Sequence, residues 1–189
     1  ALSELEQRGF VKTLNGKGTI VIEPDDTKLH QLALNSGYVE KALRYLHALQ
    51  LMVMIIRPAA LAAAPQITRA ELDELADRFN SSNSIYLAVI LEAIMKHTTL
   101  KPLYVILSET NHLLEWGHHF AYYPSKKHTL SRLNKQANTA LQQLREGNAG
   151  SFGDSIADCY RYILVCMRKH MAEKYKFHNA ANVRIPEKY

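Results

Sequence analysis

Apolar residues recur at helical spacing over most of the chain. From Val39 to about Ala63, large apolar side chains fall on one face of a helix, and the segment Ile85–His97 is apolar almost all round. A helix that is apolar on every side is usually buried at the centre of a bundle. The same period marks further helices over residues 68–80, 102–116, 130–146 and 154–174, and a short one over 27–34. The sequence therefore predicts a mostly α fold, an antiparallel helical bundle of six or seven helices.

Local signals predict several of the helix ends. Thr68 as N-cap and Glu71 three residues later form the pattern of a capping box. Gly147 is placed to end the helix that begins near Leu130. The residues after it, Asn148–Gly153, are rich in glycine and serine and predict a loop. The tail from Tyr175 is polar, so we expect it to be loosely ordered.

Residues 1–24 follow a different pattern. Leu2, Leu5 and Phe10 have helical spacing, and two β-rich runs, FVKTL and TIVIE, come next. The segment Asn15–Gly18 joins the runs, and Asn-Gly in such a place is the strongest short signal of a hairpin because both residues tolerate positive φ. The pattern predicts the end of a helix followed by a hairpin whose tip carries Lys17. The alternative is a terminal β-hairpin that packs on the helical body.

These opening residues also match a family pattern. The stretches ALSELEQRGFV and NGKGTIV resemble the end of the recognition helix and the wing of GntR-family bacterial transcription regulators. The resemblance implies that Lys12, Asn15, Gly16 and Lys17 contact DNA. Earlier helices of that domain do not precede this stretch in the sequence. We therefore expect residues 1–24 to be a partial winged-helix domain in an N-terminally truncated chain.

Three stretches of the bundle resemble, in their order, the effector domain of the FadR subfamily of these regulators, the FCD type. They are RPAALAA with the ITRAEL that follows it, then KPLY, then LQQLREGN. The resemblance implies a linker over 25–37, an effector-binding and dimerisation domain over 38–175 and a tail over 176–189. It also implies a cytoplasmic bacterial regulator that is a homodimer and acts as a repressor. Its affinity for operator DNA is expected to change when a small molecule binds the bundle.

A metal site common in that subfamily is not expected here. Many of its members hold a divalent ion through one aspartate and three histidines. Counting from the matched stretches places those positions at Ala88, Glu92, Ala137 and Cys159. Because such a site needs four converging ligands, we expect no metal and no other cofactor.

Polar residues on otherwise apolar helices are the candidate effector contacts. A buried charge must be paired or serve a ligand, although for each residue singly a surface position or an internal ion pair remains the alternative. The candidates are Arg57, Glu92, Tyr104, Asn111, Asn138 and Arg161. All but Tyr104 have a helix phase that allows them to face inward. Without a metal, we expect an apolar or elongated effector, such as an acyl thioester or an aromatic acid, with Arg57, Tyr104 and Arg161 holding its polar head.

Composition narrows the function classes. The net charge of +5 is mild, and the basic clusters at Lys126–His128 and Arg168–Lys176 are either solvated surface or a nucleic-acid patch. The most apolar run, Leu49–Ile56, ends at Arg57, so we expect no membrane span. No arrangement of nucleophile and base and no paired-carboxylate motif is evident, and we expect no enzyme. The alternative to a regulator is a helical dimerisation or interaction module with no small-molecule ligand.

Overall fold

The computed structural model describes residues 2–7, 11–14, 16, 18–22, 38–81, 86–116, 127–174 and 178–187. A short helix and a hairpin come first: α1 (Leu2–Gln7), β1 (Val11–Leu14) and β2 (Gly18–Val21). Seven helices follow among the described residues: α2 (Tyr38–Ala63), α3 (Arg69–Ser81), α4 (Tyr86–His97), α5 (Lys101–Trp116), α6 (Lys127–Arg145), α7 (Ala149–Lys174) and α8 (His178–Ala181). The predicted class, a helical bundle preceded by a hairpin, is confirmed. The linker and the short helix predicted over 27–34 lie outside the described residues.

Two long helices, α2 and α7, form the spine of the bundle. They pack along each other, while α5 packs on α2, α6 packs on α7, and α4 contacts both α2 and α6. Near its C-terminal end α2 buries three alanines completely, which lets neighbouring helices approach closely. The largest fully buried side chains are Leu46, Leu49, Met52, Ile56, Ile90, Ile94, Leu107, Phe152, Ile156, Leu164, Met167 and Met171.

Helix α4 forms a wall of the bundle and is not enclosed by it. Five of its side chains are buried: Leu87, Val89, Ile90, Leu91 and Ile94. Ala88, Glu92 and Lys96, however, are exposed. The expectation of a central helix buried on every side is therefore wrong, because α4 meets its neighbours on one side only.

The loop predicted over Asn148–Gly153 is wrong, because α7 begins at Ala149. Gly147 has φ +77°, and its amide and that of Asn148 donate to the carbonyls of Leu144 and Gln143, which is the pattern of a Schellman motif. The Asn148 side chain then accepts a hydrogen bond from the Ser151 amide at 3.0 Å. An N-cap bond of this kind starts the next helix immediately, so the connection needs no further loop.

The last described segment, residues 178–187, packs against the bundle, and we call it the C-terminal strap. Ala180 and Val183 are buried, so the expectation of a loosely ordered tail is wrong for these residues. Three side chains donate hydrogen bonds to its carbonyls: Gln50 to Arg184 at 2.9 Å, Arg161 to Pro186 at 3.2 Å and Arg168 to Val183 at 3.2 Å. The strap is therefore held to both α2 and α7.

One described stretch, Ala42–Gln66, is long and apolar enough to cross a membrane by length and composition. The expectation of no membrane span rests on Arg57 and Pro58 ending the apolar run, whereas this stretch includes both residues, as the predicted helix from Val39 to about Ala63 does. Half of the stretch is buried inside the bundle. Core helices of bundles pass the same test, so the finding is weak evidence for a span.

The capping box at the start of α3 is confirmed, and its glutamate binds a second helix as well. Glu71 accepts hydrogen bonds from the amide and hydroxyl of Thr68 at 3.0 and 3.1 Å, and the Thr68 hydroxyl accepts one from the Glu71 amide at 3.3 Å. Its other carboxylate oxygen meets the Lys96 ammonium and the His97 ring on α4. The Lys96 ammonium, with the Thr68 and His97 hydrogen bonds, lowers the pKa of Glu71 well below the ordinary glutamate value.

We expect the Glu71→Gln variant to unfold at a lower temperature than the parent at pH 7. Because the folded-state pKa of Glu71 lies below the unfolded value, its contribution is complete above the ordinary carboxyl pKa and is lost as the pH falls below it. The difference in Tm should therefore shrink between pH 6 and pH 3, roughly across the titration range of a carboxyl group. Thermal melts followed by circular dichroism measure it, with Glu173→Gln as control, an exposed glutamate 3.9 Å from Lys169. A difference that does not depend on pH would contradict the assignment.

Candidate effector groove

A groove of about 270 Å³ lies between α2 and α7. Its polar lining consists of Arg57, Asp154, Asp158, Arg161 and Glu187, and its apolar lining consists of Val53, Met54, Pro58 and Ala157. Helix α2 contributes one guanidinium, α7 contributes the other and both aspartates, and the C-terminal strap contributes Glu187. Two of the six predicted effector contacts, Arg57 and Arg161, therefore meet in one groove.

Arg57 lies at the point where the two long helices approach closely. Its Nε donates to Asp154 Oδ1 at 2.6 Å. Opposite it, a Cβ on Gly153 would be 3.5 Å from Arg57 Cγ, from the Arg57 carbonyl oxygen and from Leu61 Cγ. A side chain at this position would therefore make ordinary van der Waals contacts with α2, which shows that α7 lies directly on α2 here. The two Nη groups of Arg57 have no hydrogen-bond partner in the described part of the chain, and they remain available to a ligand.

Arg161 joins the groove to the C-terminal strap. Its Nη1 donates to Asp158 Oδ1 at 2.8 Å, and its Nε donates to the Pro186 carbonyl at 3.2 Å. The side chain is mostly buried, which makes this pair less screened by solvent than a surface ion pair. Nη2 has no partner among the described residues. Like Arg57, Arg161 is held by an aspartate and keeps a donor free.

The groove carries both signs of charge. Two guanidiniums face three carboxylates, of which Glu187 is highly exposed and lies 3.6 Å from Arg184 on the strap. Within α7 the two aspartates are one helical turn apart, so they fall on the same face of the helix. The arrangement can therefore bind a positive and a negative group at once, on an apolar floor.

The other predicted effector contacts lie elsewhere. Glu92 is exposed and pairs with Arg78 at 2.8 Å, beside a smaller hollow of about 130 Å³ between α3 and α4. Tyr104 and Asn138 are exposed, and Asn111 is half-buried on α5. The buried polar side chain in the described core is that of Thr110, which donates to the Ile106 carbonyl at 2.6 Å. Glu92, Tyr104 and Asn138 thus have surface positions, the alternative that the sequence leaves open for each candidate, because neighbouring helices cover mainly the apolar sides of these helices.

Sequence reasoning missed three groove residues. Asp154 and Asp158, with Arg161 three residues further on, form an i, i+4, i+7 row on α7 that helical spacing could have shown. No local signal points to Glu187, because its place at the rim depends on the packing of the strap.

The positions counted as metal ligands do not converge. Ala88 and Glu92 are exposed on α4, whereas Ala137 and Cys159 are fully buried in the core. Within the described ranges, no group of three or more histidine, cysteine, aspartate or glutamate side chains could hold a metal ion. Burial raises the pKa of the Cys159 thiol to about 12, with a smaller contribution from the Asp158 carboxylate, so this cysteine stays protonated at neutral pH.

The predicted DNA-binding residues lie on the hairpin. Strands β1 and β2 pair antiparallel, with Lys12 opposite Ile20, and Lys12 is exposed. Gly16 has φ +77° and Gly18 has φ +84°, the left-handed conformation that the predicted turn requires. Glu6 on α1 accepts hydrogen bonds from the amide and hydroxyl of Thr13, which ties the helix to the hairpin. Asn15 and Lys17 lie outside the described residues.

No family model, curated protein or solved structure matches this chain. The resemblance to GntR regulators therefore stays a prediction from the residues. A functional assignment therefore rests on the geometry of the hairpin and of the groove.

Proposed function

We propose that this protein is a DNA-binding transcription regulator of the GntR type in which a small-molecule effector binds the groove between α2 and α7. The observation that carries the proposal is the meeting of Arg57 and Arg161, which lie far apart in sequence, over an apolar floor. A few convergent polar groups on such a floor are typical of ligand sites. The helix and glycine-tipped hairpin that precede the bundle supply the DNA-binding part of the proposal.

The volume of the groove limits the effector. The groove encloses about 270 Å³ and is open to solvent, with Met54 half exposed at its side. This volume is below the roughly 300–1,000 Å³ of typical ligand pockets, so it suits a small effector, and most of a complete acyl-coenzyme A thioester would lie outside it. We therefore favour the small end of the effector classes that the sequence suggests.

Effector and DNA are linked through the helices that form the groove. A ligand between α2 and α7 favours one spacing of the two helices, and α2 is the first helix after the hairpin in the described part of the chain. DNA affinity then changes by the ratio of the ligand's affinities for the two arrangements. The repressor proposed here acts in the cytoplasm. It is a homodimer, because each half of a symmetric operator binds one winged-helix unit.

An exposed apolar face on α5 supports pairing of two copies. Val105, Ile106 and Leu113 are between 43% and 55% exposed, and Leu100 just before the helix is 56% exposed. Apolar side chains grouped in this way usually mark an interface. The same face fits the alternative function, a dimerisation module without a ligand. The groove, which such a module does not need, favours the regulator.

We expect the Ile106→Asp variant to be monomeric under conditions in which the parent is a dimer. Two buried carboxylates at the centre of a symmetric interface would have no partner, and the free-energy penalty exceeds what a small apolar interface supplies. Analytical ultracentrifugation over a range of concentrations measures the change. Val165→Asp on α7, an apolar residue of similar exposure, is the matched control. A parent that is monomeric throughout would contradict the proposed pairing.

The experiment that tests the regulator itself is a gel-shift titration. A form of the protein with a complete winged-helix unit is mixed with duplex fragments that span the region around its own gene. A preferred, two-fold symmetric site supports the proposal, and uniform binding to all fragments would contradict it.

A further inference from the structure

The α2–α7 groove brings charged groups of both signs close together. A simple anion that approaches Arg57 and Arg161 also meets Asp154, Asp158 and Glu187. A simple cation that approaches the carboxylates meets both guanidiniums. In either case the repulsion between like charges opposes the attraction, and this repulsion sets specificity. A ligand that carries both charges on adjacent atoms avoids the conflict.

We infer that the groove binds a zwitterionic amino acid with an apolar side chain of about the size of leucine. The inference rests on the proposed effector groove and names the chemical class of its ligand. It uses the hydrogen-bonding atoms that the two ion pairs leave unfilled, the apolar floor and the volume.

The ligand carboxylate is bound by guanidinium groups that keep donors free. Arg57 donates only its Nε to Asp154, and neither of its Nη groups has a hydrogen-bond partner among the described residues. Arg161 donates Nη1 to Asp158 and Nε to the Pro186 carbonyl. Its Nη2 is therefore the group that can donate to a ligand. Guanidinium groups hold carboxylates through such paired N–H donors, and the aspartates fix the orientation of each fork before the ligand arrives.

The ligand ammonium is bound by the carboxylates beside these guanidiniums. Asp154 gives one oxygen to Arg57, and its second oxygen has no partner in the described part of the structure. Glu187 at the rim lies 3.6 Å from Arg184 and is mostly exposed, so it can turn toward a cation. An ammonium has three donors, and two or three carboxylate oxygens satisfy it.

The apolar floor accepts the side chain of the ligand. Val53, Met54, Pro58 and Ala157 line the groove, and Met54 is half exposed in the empty groove. Methionine adapts its shape readily, so it can fold over an aliphatic or aromatic side chain. The enclosed volume of about 270 Å³ is on the scale of a single amino acid such as leucine or phenylalanine.

Isothermal titration of the full chain with three matched probes tests the inference. The probes are leucine, its decarboxylated analogue isoamylamine, and its deaminated analogue 4-methylpentanoate. We expect leucine to bind, and each analogue to bind at least about tenfold more weakly, because each loses one set of charged hydrogen bonds. If either analogue binds as tightly as leucine, or if leucine fails to bind at about 10 mM, the inference is overturned.

A matched pair of variants locates the site. Arg57→Gln should weaken leucine binding at least about tenfold, since the free Nη donors are lost. Arg145→Gln is the control, because Arg145 also holds an aspartate, Asp73, at 2.6 Å and is exposed to a similar degree. Equal loss of binding in both variants, or in neither, overturns the placement. Circular dichroism shows that both variants are folded.

The two proposals fail by different results. If leucine binds the groove but the protein with a complete winged-helix unit has no preferred DNA site, the ligand class stands and the regulator is contradicted. If a preferred DNA site exists and leucine does not bind, the regulator stands and the ligand class is wrong.

Discussion

A form of the protein that carries a complete winged-helix unit should bind one two-fold symmetric duplex site at least about 10³-fold more tightly than random duplex DNA, the lower end of the range for specific DNA-binding proteins. The reason is that a recognition helix reads base edges in the major groove, and the hairpin adds contacts to phosphates. Gel shifts at several salt concentrations measure both affinities.

Lys12 on the hairpin provides a control within this experiment. It is exposed on β1 and makes no ion pair with another described residue. The Lys12→Ala variant should weaken binding to specific and random DNA alike and lower the slope of log affinity against log salt by about one, the signature of a lost phosphate contact. Lys135→Ala on α6, also exposed, should leave the slope unchanged. If both variants change the slope equally, the DNA-binding surface is not confined to the hairpin.

The Phe152→Ala variant should lose about 3–5 kcal/mol of the free energy of unfolding, the usual cost of emptying a phenylalanine site in a core. Phe152 is 1% exposed in the second turn of α7 and is the largest fully buried side chain of the described core. A typical domain is stable by only about 5–15 kcal/mol, so the loss is a large part of the total. Urea unfolding followed by circular dichroism gives the change from the midpoint and slope.

Two further variants make this result specific. Phe152→Leu keeps most of the volume and should cost less than about 1.5 kcal/mol. Gln142→Ala on the exposed face of α6 should change stability by less than about 0.5 kcal/mol, because it removes no buried contact. A loss of less than about 1 kcal/mol for Phe152→Ala would show that the helices repack around the site, and would contradict a tightly packed α2–α7 spine.

Part of the fold could be predicted because its signals are local. The apolar period identified six of the seven helices that follow the hairpin, since a helix repeats every 3.6 residues whatever surrounds it. The capping box of Thr68 and Glu71 was predicted for the same reason, because both partners are within one turn. The glycine turn of the hairpin also depends only on its own backbone.

Two errors in the predicted fold have different causes. Glycines at positions 150 and 153 predict a loop, yet both lie in α7, because Asn148 caps the helix and Gly153 is packed against α2. The polar strap predicts a loose tail, yet buried Ala180 and Val183 and three hydrogen-bonded carbonyls hold it. The strap is held by partners on other helices, whereas the cap of α7 is a local signal that the sequence analysis missed, since Asn148 and Ser151 are three positions apart.

The sequence by itself determined the hairpin and six of the seven helices that follow it, because periodicity, caps and turn residues act over a few positions. It also singled out Arg57 and Arg161 as polar residues on apolar helices. Only the tertiary structure decided that both arginines line one groove. It also decided that each of them pairs with an aspartate on α7 and does not lie inside the core. Arg57 and Asp154 are 97 positions apart, so their contact depends on how α2 and α7 lie against each other, which no local pattern encodes.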